Sequence, residues 1–117
     1  MKYCNQFSMA KVLCLTLALL MASVASPLYA AEDIWIDVRT DKEWNSGHLD
    51  GAIHIPHTEI TGKIVSLTDD KNAPIKLYCR SGGRAGMAKK ELEKMGYNNV
   101  TNVGGLKDAK KVVKSSE

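Results

Sequence analysis

The sequence predicts one small α/β domain built on a mainly parallel sheet, and three observations carry that prediction. Four short apolar runs alternate with four polar segments of helical pattern, the arrangement of strands crossed over by helices. No internal repeat, low-complexity tract or linker divides the chain. At 117 residues, 44% hydrophobic and 25% charged, it is too apolar for disorder and long enough for only one modest core.

The first strand is Ile34-Trp35-Ile36-Asp37-Val38, and Thr40 to Asn45 follows as a helical segment. Ala52-Ile53-His54-Ile55 is the second strand and Glu59 to Leu67 the second helix. Ile75-Lys76-Leu77-Tyr78 makes the third strand. The helix after it, Arg84 to Met95, has the clearest pattern. Ala85, Ala88, Leu92 and Met95 share one face, Lys89, Lys90, Glu93 and Lys94 lie elsewhere, and Gly96 stands where a C-terminal cap belongs. Asn99 to Val103 is the fourth strand and Gly105 to Val113 the last helix.

Residues 1–30 read differently. Lys2 and Lys11 precede an almost wholly apolar stretch from Val12 to Ala25, and Ser26-Pro27-Leu28-Tyr29-Ala30-Ala31 ends it with a breaker and small residues. This is the order of a secretory signal peptide. The apolar run of about fourteen residues is shorter than the roughly 20 that span a bilayer, so a retained anchor is the weaker reading. Cleavage is expected after Ala30, with Ala25 as a second candidate, leaving residues 31–117 as the mature domain in the periplasm. Taking Lys2 and Lys11 from sixteen basic residues and nothing from thirteen acidic ones leaves a net charge of +1. That balance argues against nucleic acid or an anionic membrane surface as partner, and a monomer is expected.

Export also leaves Cys79 as the only cysteine of the mature chain, in a compartment where thiols tend to be oxidised. A small buried hydrophobe is one explanation for it. Its neighbours offer another. In Tyr78-Cys79-Arg80-Ser81-Gly82-Gly83-Arg84-Ala85, two glycines let successive N–H groups turn inward on one anion. The helix beginning near Arg84 adds its unpaired N–H groups and positive dipole end. A thiol there loses its proton readily, from about pH 8.5 down to roughly 3.5–7.5, and the thiolate is the nucleophile. Arg80 and Arg84 offer forked donors for a divalent oxyanion. The candidate catalytic residue is therefore Cys79, with Arg80, Ser81, Gly82, Gly83 and Arg84 as candidate substrate-binding residues.

Cys79-Arg80-Ser81-Gly82-Gly83-Arg84 resembles the active loop of the rhodanese family, Cys-Arg-x-Gly-x-Arg followed by Ser or Thr. Asp37-Val38-Arg39, Glu43-Trp44 and Gly47-His48-Leu49-Asp50-Gly51-Ala52-Ile53-His54-Ile55-Pro56 resemble its upstream signature. Gly96-Tyr97-Asn98-Asn99-Val100 leading to Val103-Gly104-Gly105-Leu106 resembles its downstream one. The resemblance covers nearly all of residues 31–117. It implies a rhodanese-like fold with a parallel sheet of about five strands flanked by helices, and thiosulfate sulfurtransferase activity with no cofactor. Two departures stand out: Ala85 replaces the family's Ser or Thr, and Ala109-Lys110 occupy the region where a tryptophan is often found.

The reaction so implied runs through a Cys79 persulfide, with thiosulfate as donor and cyanide or a thiol as acceptor. Sulfite leaves as a stable anion, so no general acid is needed, unlike a cysteine phosphatase expelling an alkoxide. A phosphatase or arsenate-reductase relative is the enzymatic rival, but those loops are Cys-x5-Arg and Cys79 to Arg84 is Cys-x4-Arg. A non-catalytic or persulfide-carrying binding module is the third reading. The other conspicuous residues have structural explanations: Asp37 and Arg39 as an ion pair, Lys107, Lys110, Lys111 and Lys114 as a solvated helix face, and Trp35 and Trp44 as packing. His48, His54 and His57 are not spaced to converge on one metal ion.

Overall fold

The computed structural model describes residues 32–117, and the signal-peptide and cleavage-site expectations lie outside them. Strands β1 (Ile34–Asp37), β2 (Ile53–His54), β3 (Ile75–Cys79) and β4 (Val100–Gly105) form one parallel sheet in the order β2-β1-β3-β4. Between and after them run helices α1 (Asp41–Asn45), α2 (Ile60–Leu67), α3 (Gly83–Lys94) and α4 (Leu106–Ser115). The four apolar runs are thus the four strands. A fifth strand is not found among the described residues, because the connecting stretches at 46–52 and 68–74 are polar and turn-forming and hold no apolar run to build it.

Alternation along the strands decides which helix covers which residue. Ile36 and Val38 from the β1 segment and Ile75, Leu77 and Cys79 from β3 belong to one buried cluster, completed by Ile60 and Ile64 of α2 and Ala85, Ala88 and Leu92 of α3. The residues between them point the other way. Trp35 and Tyr78 pack on that second face with Leu49, Ala109, Leu106 and Val113, so that α4 covers it. Ala109, in the region where the family pattern often has a tryptophan, is fully buried there. The predicted helical face of α3 is the one observed, and Gly96 follows its last turn at φ +99°, in the left-handed region of a C-terminal cap.

Two local devices set the carboxyl end of the sheet. Thr40 and Glu43 form a capping box that starts α1: Thr40 Oγ1 accepts from the Glu43 N–H at 3.3 Å, and the Glu43 carboxylate accepts from the Thr40 N–H at 3.4 Å. Asp37 and Arg39 form the expected ion pair, with Arg39 Nη2 2.7 Å from Asp37 Oδ2 and both residues buried. Arg39 Nη2 also donates to the Gly47 carbonyl at 2.7 Å, tying the end of β1 to the loop that returns to β2. Beside it the Tyr78 hydroxyl accepts from the Leu49 N–H at 3.0 Å.

Candidate active site

β3 ends at Cys79, and its side chain falls on the face covered by α3, beneath that helix's first turn. The thiol is 1% exposed. The chain then turns through Arg80, Ser81 and Gly82 to enter α3 at Gly83. Gly82 takes φ +97°, a conformation other residues adopt only under strain, and its N–H donates to Cys79 Sγ at 2.9 Å. Burial pushes the Cys79 thiol up, but the N–H groups of Ala85, Ser81, Gly82 and Arg84 favour the thiolate more, and its pKa lies below the ordinary thiol value. The loop is therefore a ring of backbone donors around one sulfur. Such a ring holds an anion bound to that sulfur as readily as the thiolate itself.

The six candidate residues are contiguous, and the fold gives them unlike surroundings. Arg80, Ser81 and Gly83 are exposed, and Arg80 has no ion-pair partner among the described residues. Arg84 is engaged. Its Nη1 lies 2.6 Å from Glu43 Oε1 and its Nη2 2.9 Å from Oε2, a two-point pair between side chains 24% and 27% exposed. The Arg84 guanidinium holds the Glu43 carboxyl down to about 2, against an ordinary 4.5. Glu43 thus anchors the first turn of α3 to α1, an arrangement that sequence spacing hides because the partners are separated by two strands and a helix. The capping-box spacing Thr40-x-x-Glu43 marks Glu43 as a helix-start residue, though not as the partner of Arg84.

Glu43 is itself held by its neighbourhood. Trp44 stacks with the His48 ring, centroids 3.5 Å apart, and with the His54 ring, 4.9 Å apart. His54 Nε2 donates to the Arg39 carbonyl at 2.8 Å, which binds β2 to the loop before α1. These imidazoles serve packing and hydrogen bonding. Among the described residues no group of three or more His, Cys, Asp or Glu is placed to hold a metal ion.

The far wall of the loop comes from β4 and the start of α4. Gly105 lies against Arg80 so closely that a Cβ at Gly105 would collide with the Arg80 carbonyl. Asp108 accepts from the Gly105 N–H at 2.9 Å. Asn102, which nothing in the sequence pattern singles out, donates through Nδ2 to the Gly82 carbonyl at 2.9 Å. Ala85, where the family pattern has a hydroxyl, is fully buried, its methyl in the core and its N–H directed to Cys79.

The Rhodanese-like domain family matches residues 20–111 of the chain. Thiosulfate sulfurtransferase PspE of Escherichia coli (strain K12) is 46% identical over 82 residues, covering 70% of this chain and 78% of that protein. Among solved structures, a rhodanese with anions from E. coli aligns at a TM-score of 0.63 and 44% identity, over 66% of this chain and 91% of that one. A rhodanese-like domain protein from Staphylococcus aureus aligns at 0.59 and 30% identity, over 69% and 78% of the two chains.

Proposed function

This chain belongs to the rhodanese-like domain family, and from that premise we propose that it is a thiosulfate sulfurtransferase working through a persulfide on Cys79. One observation carries the reading: a buried thiol at the end of β3 whose sulfur accepts the Gly82 N–H at 2.9 Å, with the amides of Ser81, Arg84 and Ala85 also lowering its pKa. The Cys79 thiolate attacks the outer sulfur of thiosulfate. The S–S bond of the donor breaks, its electron pair leaves with sulfite, and the persulfide stays in the amide ring. Cyanide or a thiolate then attacks the terminal sulfur, the new S–S bond breaks toward Cys79, and the thiolate is restored. Each step exchanges one stable anion for another, so no positioned acid is needed.

The difficulty is charge, since an anion approaches a dianion. Oriented amides, with Arg80 exposed at the rim, lower that repulsion without reorganising. Arg84 acts from behind the loop, holding the first turn of α3 through Glu43. A persulfide carrier that hands its sulfur to one partner shares the first half-reaction. It is the second reading, favoured by Cys79 being the only free cysteine among the described residues, which leaves no second thiol among them to release the sulfur.

The test is loading followed by turnover. Thiosulfate alone is expected to make the protein heavier by one sulfur atom, on Cys79, with one equivalent of sulfite released. Cyanide or a dithiol should then clear that sulfur over many cycles, and Cys79→Ser should do neither. Loading without repeated turnover favours the carrier. Hydrolysis of an aryl phosphate without loading would overturn the sulfurtransferase reading. The protein recovered from the periplasm is expected to begin at Ala31 by N-terminal sequencing, and an intact Met1 in the membrane fraction would contradict export.

A further inference from the structure

We propose that Asn102 is a positioning residue for Cys79: by bridging the bulged end of β4 to the Gly82 carbonyl it holds Gly82 in the conformation that points its N–H at Cys79 Sγ. The inference rests on the reading that Cys79 works as a thiolate. It does not depend on which compound donates the sulfur.

The register of the sheet explains how Asn102 reaches the loop. Leu77 of β3 pairs with Asn102, but the next residue, Tyr78, pairs with Gly104, so Val103 is an extra residue in β4. A bulge of this kind bends its strand and re-aims the side chains beside it. Gly104 supports it at φ +106°. The Asn102 side chain closes the bulge on one side, its Oδ1 accepting from the Gly104 N–H at 3.0 Å. On the other side its Nδ2 donates to the Gly82 carbonyl at 2.9 Å.

Gly82 is thus gripped at both ends. Its N–H is on Cys79 Sγ, and its carbonyl takes Asn102 as well as the first helical N–H of α3, from Gly86, at 2.9 Å. A Cβ at Gly82 would lie 3.6 and 3.7 Å from the Asn102 amide atoms, and one at Gly86 would lie 3.4 Å from Asn102 Nδ2. These are ordinary contact distances, so what calls for glycine at position 82 is its left-handed φ of +97°. Because glycine populates φ < 0 as readily as φ > 0, these three hydrogen bonds set its conformation, and loss of the one from Asn102 frees the N–H to turn from the sulfur.

Asparagine is the residue this bridge requires, because the two contacts need one acceptor and one donor on a single planar group. Aspartate has the same shape and no donor. In Asn102→Asp the second oxygen would face the Gly82 carbonyl, acceptor against acceptor, and that carbonyl would be pushed rather than held.

The experiment measures thiol ionisation directly. The full-length protein is alkylated with iodoacetamide across a pH series, and modification of the Cys79 peptide is followed by mass spectrometry, which separates it from Cys4 and Cys14. Asn102→Asp is expected to move the alkylation midpoint up by about one pH unit, a tenfold smaller thiolate fraction well below the midpoint. Asn102→Ala, which removes the bridge without adding an acceptor, should move it in the same direction by less. Thr101→Ala, exposed on the same strand, should leave it in place. The sulfur-loading rate should fall in step with the thiolate fraction and recover as the pH is raised. A midpoint unchanged in Asn102→Ala, with or without a lower melting temperature, would reduce Asn102 to a structural residue and overturn the proposal. If thiosulfate fails to load the wild type while the midpoint still moves in the variants, the choice of donor is at fault and the positioning role stands.

Discussion

At the level of single residues, Cys79 is buried like a core hydrophobe yet its pKa lies below the ordinary thiol value, because backbone donors outweigh burial. Arg84 carries the sharpest distinction between charge and geometry. Lysine would keep the charge and reach only one Glu43 oxygen where the guanidinium now takes both. Arg84→Lys is expected to lower kcat/KM for sulfur transfer about tenfold, with a stability loss of about 1 kcal/mol because the pair is partly exposed. Unchanged kinetics by steady-state assay would mean that the loop needs no anchor at α1. Glu43 adds a pH signature. Its carboxyl is lowered from 4.5 to about 2 in the folded protein, so its stabilisation is complete above the unfolded value and is lost as pH falls from 4.5 through about 2. Denaturant titrations over that window should show a loss in the wild type that Glu43→Gln lacks.

At the level of elements, the Cys79–Arg84 loop is shaped as much by β4 and α4 as by β3 and α3. Gly105 is the point of closest approach, and it has an ordinary extended backbone, so its requirement for glycine is one of space alone. Gly105→Ala is expected to push the Arg80 carbonyl away and open the loop, at a cost of about 1–3 kcal/mol for overpacking. The Cys79 alkylation midpoint should rise with it. A melting temperature and midpoint both equal to wild type would mean that the contact between β4 and the loop is slack. α1 works by the same logic on the other side: a helix of five residues has little stability of its own, and its capping box together with the Arg84 pair keeps Glu43 in place.

Across the whole molecule, the sheet separates chemistry from scaffold. Cys79 faces α2 and α3, whereas Tyr78, one residue earlier, faces α4 with Leu49 and beside the Asp37–Arg39 pair. Tyr78→Phe would leave the Leu49 N–H, buried on that far face, without its partner, and the expected loss is about 1–3 kcal/mol. Sulfur loading on Cys79 should stay within about twofold of wild type, since the Cys79 side chain lies on the opposite face. A fall in loading larger than the loss of folded protein would show that the two faces are coupled. Among the described residues no helix is long and apolar enough to cross a membrane.

Much of this was legible in the linear order of residues. Alternating apolar runs located all four strands and all four helices to within a residue or two at most ends, because period and punctuation are local properties. The Cys79–Arg84 loop was legible for the same reason: its parts are contiguous, and two glycines before a helix imply an amide cradle whatever surrounds them. The number of strands that a family resemblance implies was less secure than the runs themselves, which support four. Tertiary structure alone decided what Arg84 holds and what holds Gly82. Glu43 and Asn102 reach the loop across the sheet, one by way of a capped helix and the other by way of a bulge at Val103. Partners so far apart in the chain leave no mark on local spacing, since only the packing of α1 and β4 around the end of β3 brings their polar atoms within hydrogen-bond distance.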